Sequence, residues 1–257
     1  MTTWVFAGLL LAAFGAGWVN AVVGGGGLIM LPSLFVGLPA STPVATVAGT
    51  NKTAQVVGNL TAGISYLRRQ RPDWPMFLSA AGMAFVGALI GVRILRLMSR
   101  AVYTPILLVV LVAIGIFTWR RPRMGVVADE ATQGRHKLSV AALGLLLGCY
   151  DAAIGPGVGT FWVLVFVAVG GYSFLRASGM AKVCNATTNL VTIVTLAIHR
   201  QVLWHVAWPL VIANVVGGVV GARTAQRHGD RFVRTMFLLV ISVLGVRLLV
   251  QLVMDQA

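Results

Sequence analysis

"VAGTNKTAQVVGNL" at residues 47–60 and "ASGMAKVCNATTNL" at residues 177–190 decide the fold, because each sets a lysine and several amides inside an apolar segment. Lys52 and Lys182 are 130 residues apart, and the same offset, without any gap, pairs Asn59-Leu60 with Asn189-Leu190. It also pairs Gly25 with Gly155, Gly27 with Gly157, Gly49 with Gly179, Trp74 with Trp204, Gly87 with Gly217, Gly91 with Gly221, Arg93 with Arg223, and Gly115 with Gly245. Glycines match easily by chance. A tryptophan, a lysine and an Asn-Leu pair at one offset do not, so the chain reads as a duplication.

The 257 residues are 58% hydrophobic and only 10% charged, and the charges gather between long apolar stretches, which is the pattern of a polytopic membrane protein. The stretches run from Trp4 to Val23, Pro43 to Leu67, Pro75 to Leu97 and Val102 to Trp119, with a short one from Leu28 to Leu38. After a polar linker, Arg120 to Lys137, the series returns: Leu138 to Ile154, a short Val158 to Tyr172, Ala177 to Ile198, Trp204 to Ala225 and Phe232 to Met254. The expected fold is an all-α transmembrane helical bundle of two homologous, inverted repeats. The first spans 1–119 and the second 138–257, joined by a basic cytoplasmic linker at 120–137. The N-terminus lacks the positive region of a signal peptide, so the first apolar run is read as a retained membrane segment. A net charge of +14 would suggest nucleic acid in a soluble protein; here the arginines sit in short connectors and act as topology signals, so no nucleic-acid partner is expected.

An odd number of crossings per half inverts the second half relative to the first. The compartment that faces the central linker then collects Arg68, Arg69, Arg71, Arg120, Arg121, Arg123, Arg135, Lys137, Arg223, Arg227, Arg231 and Arg234. The opposite side keeps mainly Arg93, Arg96, Arg100 and Arg200. The linker side is therefore expected to be cytoplasmic. A parallel arrangement, with four crossings per half, splits the arginines more evenly.

Of three lysines, two occupy equivalent places inside apolar segments. Lys52 lies nine residues past Pro43, about 14 Å into a hydrocarbon core of about 30 Å, too deep to snorkel. A central lysine costs about 2.5–3.5 kcal/mol on insertion scales, so two of them point to a task. That task is a cationic site for an anion; the plainer alternative is that each pairs with backbone carbonyls or lines a water pocket. Asn51, Gln55 and Asn59 around the first lysine, and Asn185, Thr188 and Asn189 around the second, are polar neighbours at helical spacing able to hydrogen-bond an oxyanion. Asp151 is the single acidic residue inside an apolar segment, and reads either as a proton carrier or as a static partner of one lysine. Tyr150 beside it is a donor for substrate or for Asp151.

"GGGG" at Gly24 to Gly27 interrupts an apolar run, where one helical glycine already costs about 1 kcal/mol relative to alanine. Its shifted counterpart is Gly155 to Gly159. Irregular backbone at membrane depth is tolerated where protein or a water-filled cavity surrounds it, so Gly25, Gly26, Gly27, Gly155 and Gly157 read as cavity wall, with a tight turn as the plainer alternative. Gly8, Gly15, Gly87, Gly91, Gly217, Gly218 and Gly221 read as helix-packing faces. Cys149 and Cys184 are read as small packing residues, and His199 and His205, at segment edges, as interface residues. Neither a metal cluster, a phosphate-binding loop nor a nucleophile set is present in the sequence, so no cofactor, metal or enzymatic chemistry is expected.

At "NAVVGGGGLIMLPSLFVGLP", "AGTNKTAQVVGNLTAG" and the latter's second-half echo, nearly the whole chain resembles the TauE/SafE family of sulfite and sulfonate exporters, also called the 4-toluenesulfonate uptake permease family. The resemblance implies secondary transport of small sulfur oxyanions or organosulfonates across the bacterial inner membrane. The implied partners are the lipid bilayer and a small anionic substrate, with a homo-oligomer compatible. The second break, "IGPGVGTFW", carries Pro156 where the first has Gly26, so the two breaks differ chemically. A passive anion channel, or a carrier of a non-sulfur organic anion, is the alternative reading.

Overall fold

A computed structural model describes residues 3–23, 25–68, 71–119 and 136–254. All regular structure among them is helical: α1 (Thr3–Val23), α2 (Gly27–Gly37), α3 (Val44–Leu67), α4 (Trp74–Leu97), α5 (Arg100–Trp119), α6 (Lys137–Ala153), α7 (Val158–Ala168), α8 (Phe174–Ile198) and α9 (Trp204–Met254). The expected polar linker falls almost wholly outside the described residues. Four helices are long and apolar enough to cross a bilayer: Thr3–Val22, Trp74–Leu97, Phe174–Ile198 and Trp204–His228. α3 has the length but carries a polar middle, which every exposed face of a spanning helix would avoid; it is buried instead along most of its length.

Local sequence sets the helix ends. Asp73 caps α4, its carboxylate accepting from the Met76 N–H at 3.1 Å, with Pro75 in the first turn. The Tyr172 hydroxyl donates to the other oxygen of Asp73 at 2.6 Å, tying the turn before α8 to the start of α4. In that turn burial and the Asp73 bond push the Tyr172 phenol above its ordinary range. α7 ends at Ala168, four residues earlier than the apolar pattern alone implies, with Gly171 at φ 74° in the turn that follows, and α8 begins at Phe174 rather than Ala177. Arg100 donates to the Ala40 and Phe35 carbonyls at 2.5 and 3.0 Å, fastening the end of α2 to α5.

One expected boundary is absent. The segments Trp204 to Ala225 and Phe232 to Met254 are joined by unbroken helix in α9, because the connector has no proline and Gly229 alone does not break it.

The helices pair closely through glycines. α1 and α9 run parallel: a Cβ on Gly217 would lie 2.0 Å from the Phe14 carbonyl oxygen, and one on Gly17 would lie 2.1 Å from that of Asn214. α4 and α6 do the same, with Gly87 against Leu145 at 2.0 Å, Gly91 against Cys149 at 2.1 Å and Gly148 against Ala84 at 2.1 Å. Two of the expected packing glycines are not of this kind. Gly8 and Gly15 have nothing within 4 Å, because they lie off the face of α1 that meets α9; Gly8 borders a recess of about 350 Å³ between α1 and α2.

α3 and α8 cross antiparallel in the middle. Gly49 of α3 meets Leu196 near the end of α8, while Gly179 near the start of α8 meets Tyr66 and Leu67 at the end of α3. Two large apolar clusters lie on either side of this crossing's midpoint. One joins the end of α1 and α3 to the starts of α4 and α8 and to α7; the other joins the starts of α1, α3 and α9 to the ends of α4 and α8 and to α2. Between them lies a layer of buried polar side chains.

Candidate functional site

The polar layer is built where the two chain breaks meet. α1 ends at Val23 and α2 begins at Gly27, with Gly24 outside the described residues. Gly26 caps α2; a Cβ there would lie 2.3 Å from the Ala16 carbonyl oxygen and 2.5 Å from Asn20 Cβ, so the turn folds tightly back on α1. Gly25 supplies the carbonyl that accepts from Leu28 N–H at 3.0 Å. A Cβ on Gly27 would lie 3.4 Å from Pro156 Cα and 3.7 Å from the Gln55 amide nitrogen, which places the first break against the second and against the middle of α3. Gly155 and Gly157 adopt φ of 95° and 80°, the left-handed region that glycine alone enters without cost, and Gly157 caps α7. The breaks are thus both tight turns and the inner wall of the polar layer.

Lys52 reaches across from α3 to α6. Its Nζ donates to one carboxylate oxygen of Asp151, and Thr188 Oγ1 on α8 donates to the other. The pair is desolvated, with side-chain exposures of 6% and 1%. Lys52 Nζ also lies 3.4 Å from where a Cβ on Gly155 would be. Replacing Gly155 by Ala should therefore cost about 1–2 kcal/mol from the left-handed backbone alone and crowd the ammonium. The expected result is an apparent Tm lowered by several degrees in detergent, read by thermal unfolding of the purified protein.

The other sequence-predicted residues divide. Gln55 donates to Asn51 at 2.7 Å, one turn away on α3. Asn59 turns toward α1, accepting from Asn20 at 2.5 Å. Tyr150 donates to the Pro156 carbonyl, rather than to Asp151, and so braces the second break; its ring meets Phe161 edge-on with centroids 5.7 Å apart. Asn185 and Asn189 are buried on α8, the Asn185 carbonyl accepting from Thr188 at 2.9 Å and both amide atoms of Asn189 lacking a partner among the described residues.

Lys182 is not brought onto the Asp151 carboxylate. It is 1% exposed, and its Nζ has no hydrogen-bond partner among the described residues. Its Cβ lies 3.2 Å from where one on Gly63 would be, and Gly63 stands eleven residues beyond Lys52, about 16 Å along α3. The two lysines enter the polar layer from opposite sides.

Sequence reasoning missed Asn20 and Asn214, amides standing alone in apolar runs. Asn20 bonds Asn59, and Asn214 donates to the Ala13 carbonyl at 3.1 Å. It also missed Tyr103, whose hydroxyl donates to the Ile154 carbonyl at 2.6 Å, just before the second break. An isolated amide in an apolar helix was the available signal for the first two; nothing local marks Tyr103. Among the described residues no group of His, Cys, Asp and Glu is arranged to hold a metal.

A helical, multi-pass membrane protein that buries two lysines and an aspartate in a polar layer at its chain breaks has the architecture of a membrane transporter. The profile of the family described as Sulfite exporter TauE/SafE matches residues 9–248, and the chain belongs to that family. Relatives include "Probable membrane transporter protein ORF9" of Sinorhizobium sp, 31% identical over 241 residues and covering 94% of this chain and 91% of the relative. "Probable membrane transporter protein YfcA" of Escherichia coli strain K12 is 28% identical over 94% of this chain and 88% of its own. A "Probable membrane transporter protein" of Haemophilus influenzae is 29% identical over 96% of this chain and 94% of its own. No solved structure matches the chain.

Proposed function

We propose that this protein is a secondary transporter that carries a small sulfur-containing anion, such as sulfite, thiosulfate or an organosulfonate, across the bacterial inner membrane. The observation that carries the reading is the desolvated Lys52–Asp151 pair, set between two glycine breaks in the middle of the bundle. The reading takes residues 1–119 and 138–257 as inverted repeats, with the linker side cytoplasmic. In its support, α7, α8 and α9 begin 130 or 131 residues after α2, α3 and α4, and α3 crosses α8 antiparallel.

The chemistry follows from competition. Asp151 occupies the Lys52 ammonium, so an anion reaching Lys52 must displace a carboxylate. A proton taken up by Asp151 neutralises that carboxylate and frees the ammonium. A monovalent anion, such as hydrogensulfite or an organosulfonate, then restores the local charge balance, so the empty and the loaded, protonated sites carry the same net charge; thiosulfate, a dianion, would need a second proton. Proton and anion travel together for an electrostatic reason, and a site with no net charge change crosses the apolar layers at the lower desolvation cost. Asn51, Gln55, Asn185, Thr188 and the break glycines line the path as hydrogen-bonding groups. Lys52 and Asp151 sit on different helices, so motion along the α3–α8 crossing opens the polar layer to one side and then the other.

Purified protein in liposomes tests this. Radiolabelled sulfite or thiosulfate should accumulate above equilibrium, saturably, when an imposed pH gradient drives protons in the same direction. Saturable flux that ignores the pH gradient would remove the proton role. Unsaturable flux that only dissipates the anion gradient would make the protein a passive channel, and no flux of any sulfur anion would sink the substrate class.

A further inference from the structure

The 130-residue offset that relates the two lysines does not relate their surroundings. Along α1 and α6 the packed register is offset by 131 residues, since Phe14 meets Gly217 and Trp18 meets Gly221 as Leu145 meets Gly87 and Cys149 meets Gly91, so Asp151 and Thr188, which hold Lys52, correspond to Asn20 and Gly58. Lys182 therefore has neither the carboxylate nor the hydroxyl of its counterpart. Its environment is nonetheless polar. Ser178, Lys182, Asn185 and Asn189 recur at intervals of four, three and four residues, one face of α8, and each is 3% exposed or less. Ser178 Oγ, Lys182 Nζ and both amide atoms of Asn189 lack hydrogen-bond partners among the described residues.

Lys182 is linked to the end of α1 through α3. Gly63 lies against its Cβ, and one turn further along α3 Tyr66 donates to the Ala21 carbonyl at 3.0 Å, in the last turn of α1 before Gly25 to Gly27. A buried ammonium with no acceptor is strongly penalised, and an anion supplies the missing charge and acceptors at once. The amides of a helix start and the orphan donors of α8 add neutral hydrogen bonds to it.

We propose that the two halves have divided the work: Lys182, with Ser178 and the Gly25–Gly27 break beside it, is the resting seat of a small oxyanion, while Lys52–Asp151 handles the proton. Asn20, standing where the second half has a carboxylate, leaves the seat without a counter-ion. This rests on the transporter reading and sharpens it. The anion loads at Lys182 and passes toward Lys52 once Asp151 is protonated.

Binding of sulfite and of thiosulfate to the purified protein, by calorimetry, tests the division separately from transport. Lys182→Gln is expected to weaken binding at least tenfold. Asn20→Asp, which changes the charge and not the size, is expected to do the same by supplying Lys182 with a built-in counter-ion, whereas Asn20→Ala, uncharged, weakens it much less. The double variant Lys52→Gln/Asp151→Asn should bind within about threefold of wild type while losing pH-driven accumulation in liposomes. If Asn20→Asp fails to fold, Lys182→Gln against the double variant decides. Tight binding by Lys182→Gln, or loss of binding in the double variant alone, would overturn the division and leave the transporter reading standing. Failure of the wild type to bind either anion would remove the proposed substrates together with the division.

Discussion

Lys52→Gln alone should abolish pH-driven uptake and sharply reduce the amount of folded protein, whereas Lys52→Gln/Asp151→Asn should recover the folded protein and not the uptake. Removing one partner strands Asp151 in a desolvated site with only Thr188 on it, and breaking a buried pair in this way costs about 3–5 kcal/mol. That is a large fraction of the roughly 5–15 kcal/mol that holds a typical protein together. The double variant replaces the two charges by two neutral amides, Asn with the shape of Asp and Gln one bond shorter than Lys, so the desolvation penalty goes with the attraction. What it cannot restore is the exchange of a proton for an anion. Detergent-solubilised yield and Tm report the first effect, and liposome flux the second. A double variant that transports at the wild-type rate would make the ion pair a structural fastening only.

The second large effect concerns stability. Gly217→Leu is expected to leave no monodisperse protein, because its Cβ would fall 2.0 Å from the Phe14 carbonyl oxygen and neither helix backbone can yield locally. Ordinary overpacking costs about 1–3 kcal/mol, but there the neighbour is a side chain that can turn aside. Here α1 and α9 would have to separate along their whole contact. Gly8→Leu is the control on the partner helix α1, since nothing lies within 4 Å of that position, and it should purify normally. Size-exclusion profiles of the two variants carry the comparison, and a normal profile for Gly217→Leu would mean that the helix pair is not this close.

Much of this was legible in the sequence because membrane helices announce themselves by apolar length, and because Lys52 and Lys182 stand out against that background. The glycine breaks were legible for the same reason, through their cost in a helix. Partner choice was not. Asp151 read equally well as a proton carrier or as a partner of either lysine, because which helix faces which is fixed by packing between residues nearly a hundred positions apart. Nor did the sequence show that Tyr150 braces Pro156, a bond that exists only once the second break has folded. The run from Trp204 onward shows the converse: charged residues mark a membrane surface but do not end a helix, so two expected segments form one.

The glycine-faced pairs carry a consequence for how the protein is made. Each joins a helix from one half of the chain to a helix from the other, α1 with α9 and α4 with α6. While the ribosome is still on the first half, the close-contact surfaces of α1 and α4 have nothing to rest on but lipid. About 200 residues separate Phe14 from its partner Gly217, which at translation rates of about 5–20 residues per second leaves α1 waiting roughly 10–40 seconds. Neither half is a unit that can be expressed alone and expected to hold its shape. A gene cut at the linker should yield protein only when both pieces are synthesised in the same cell.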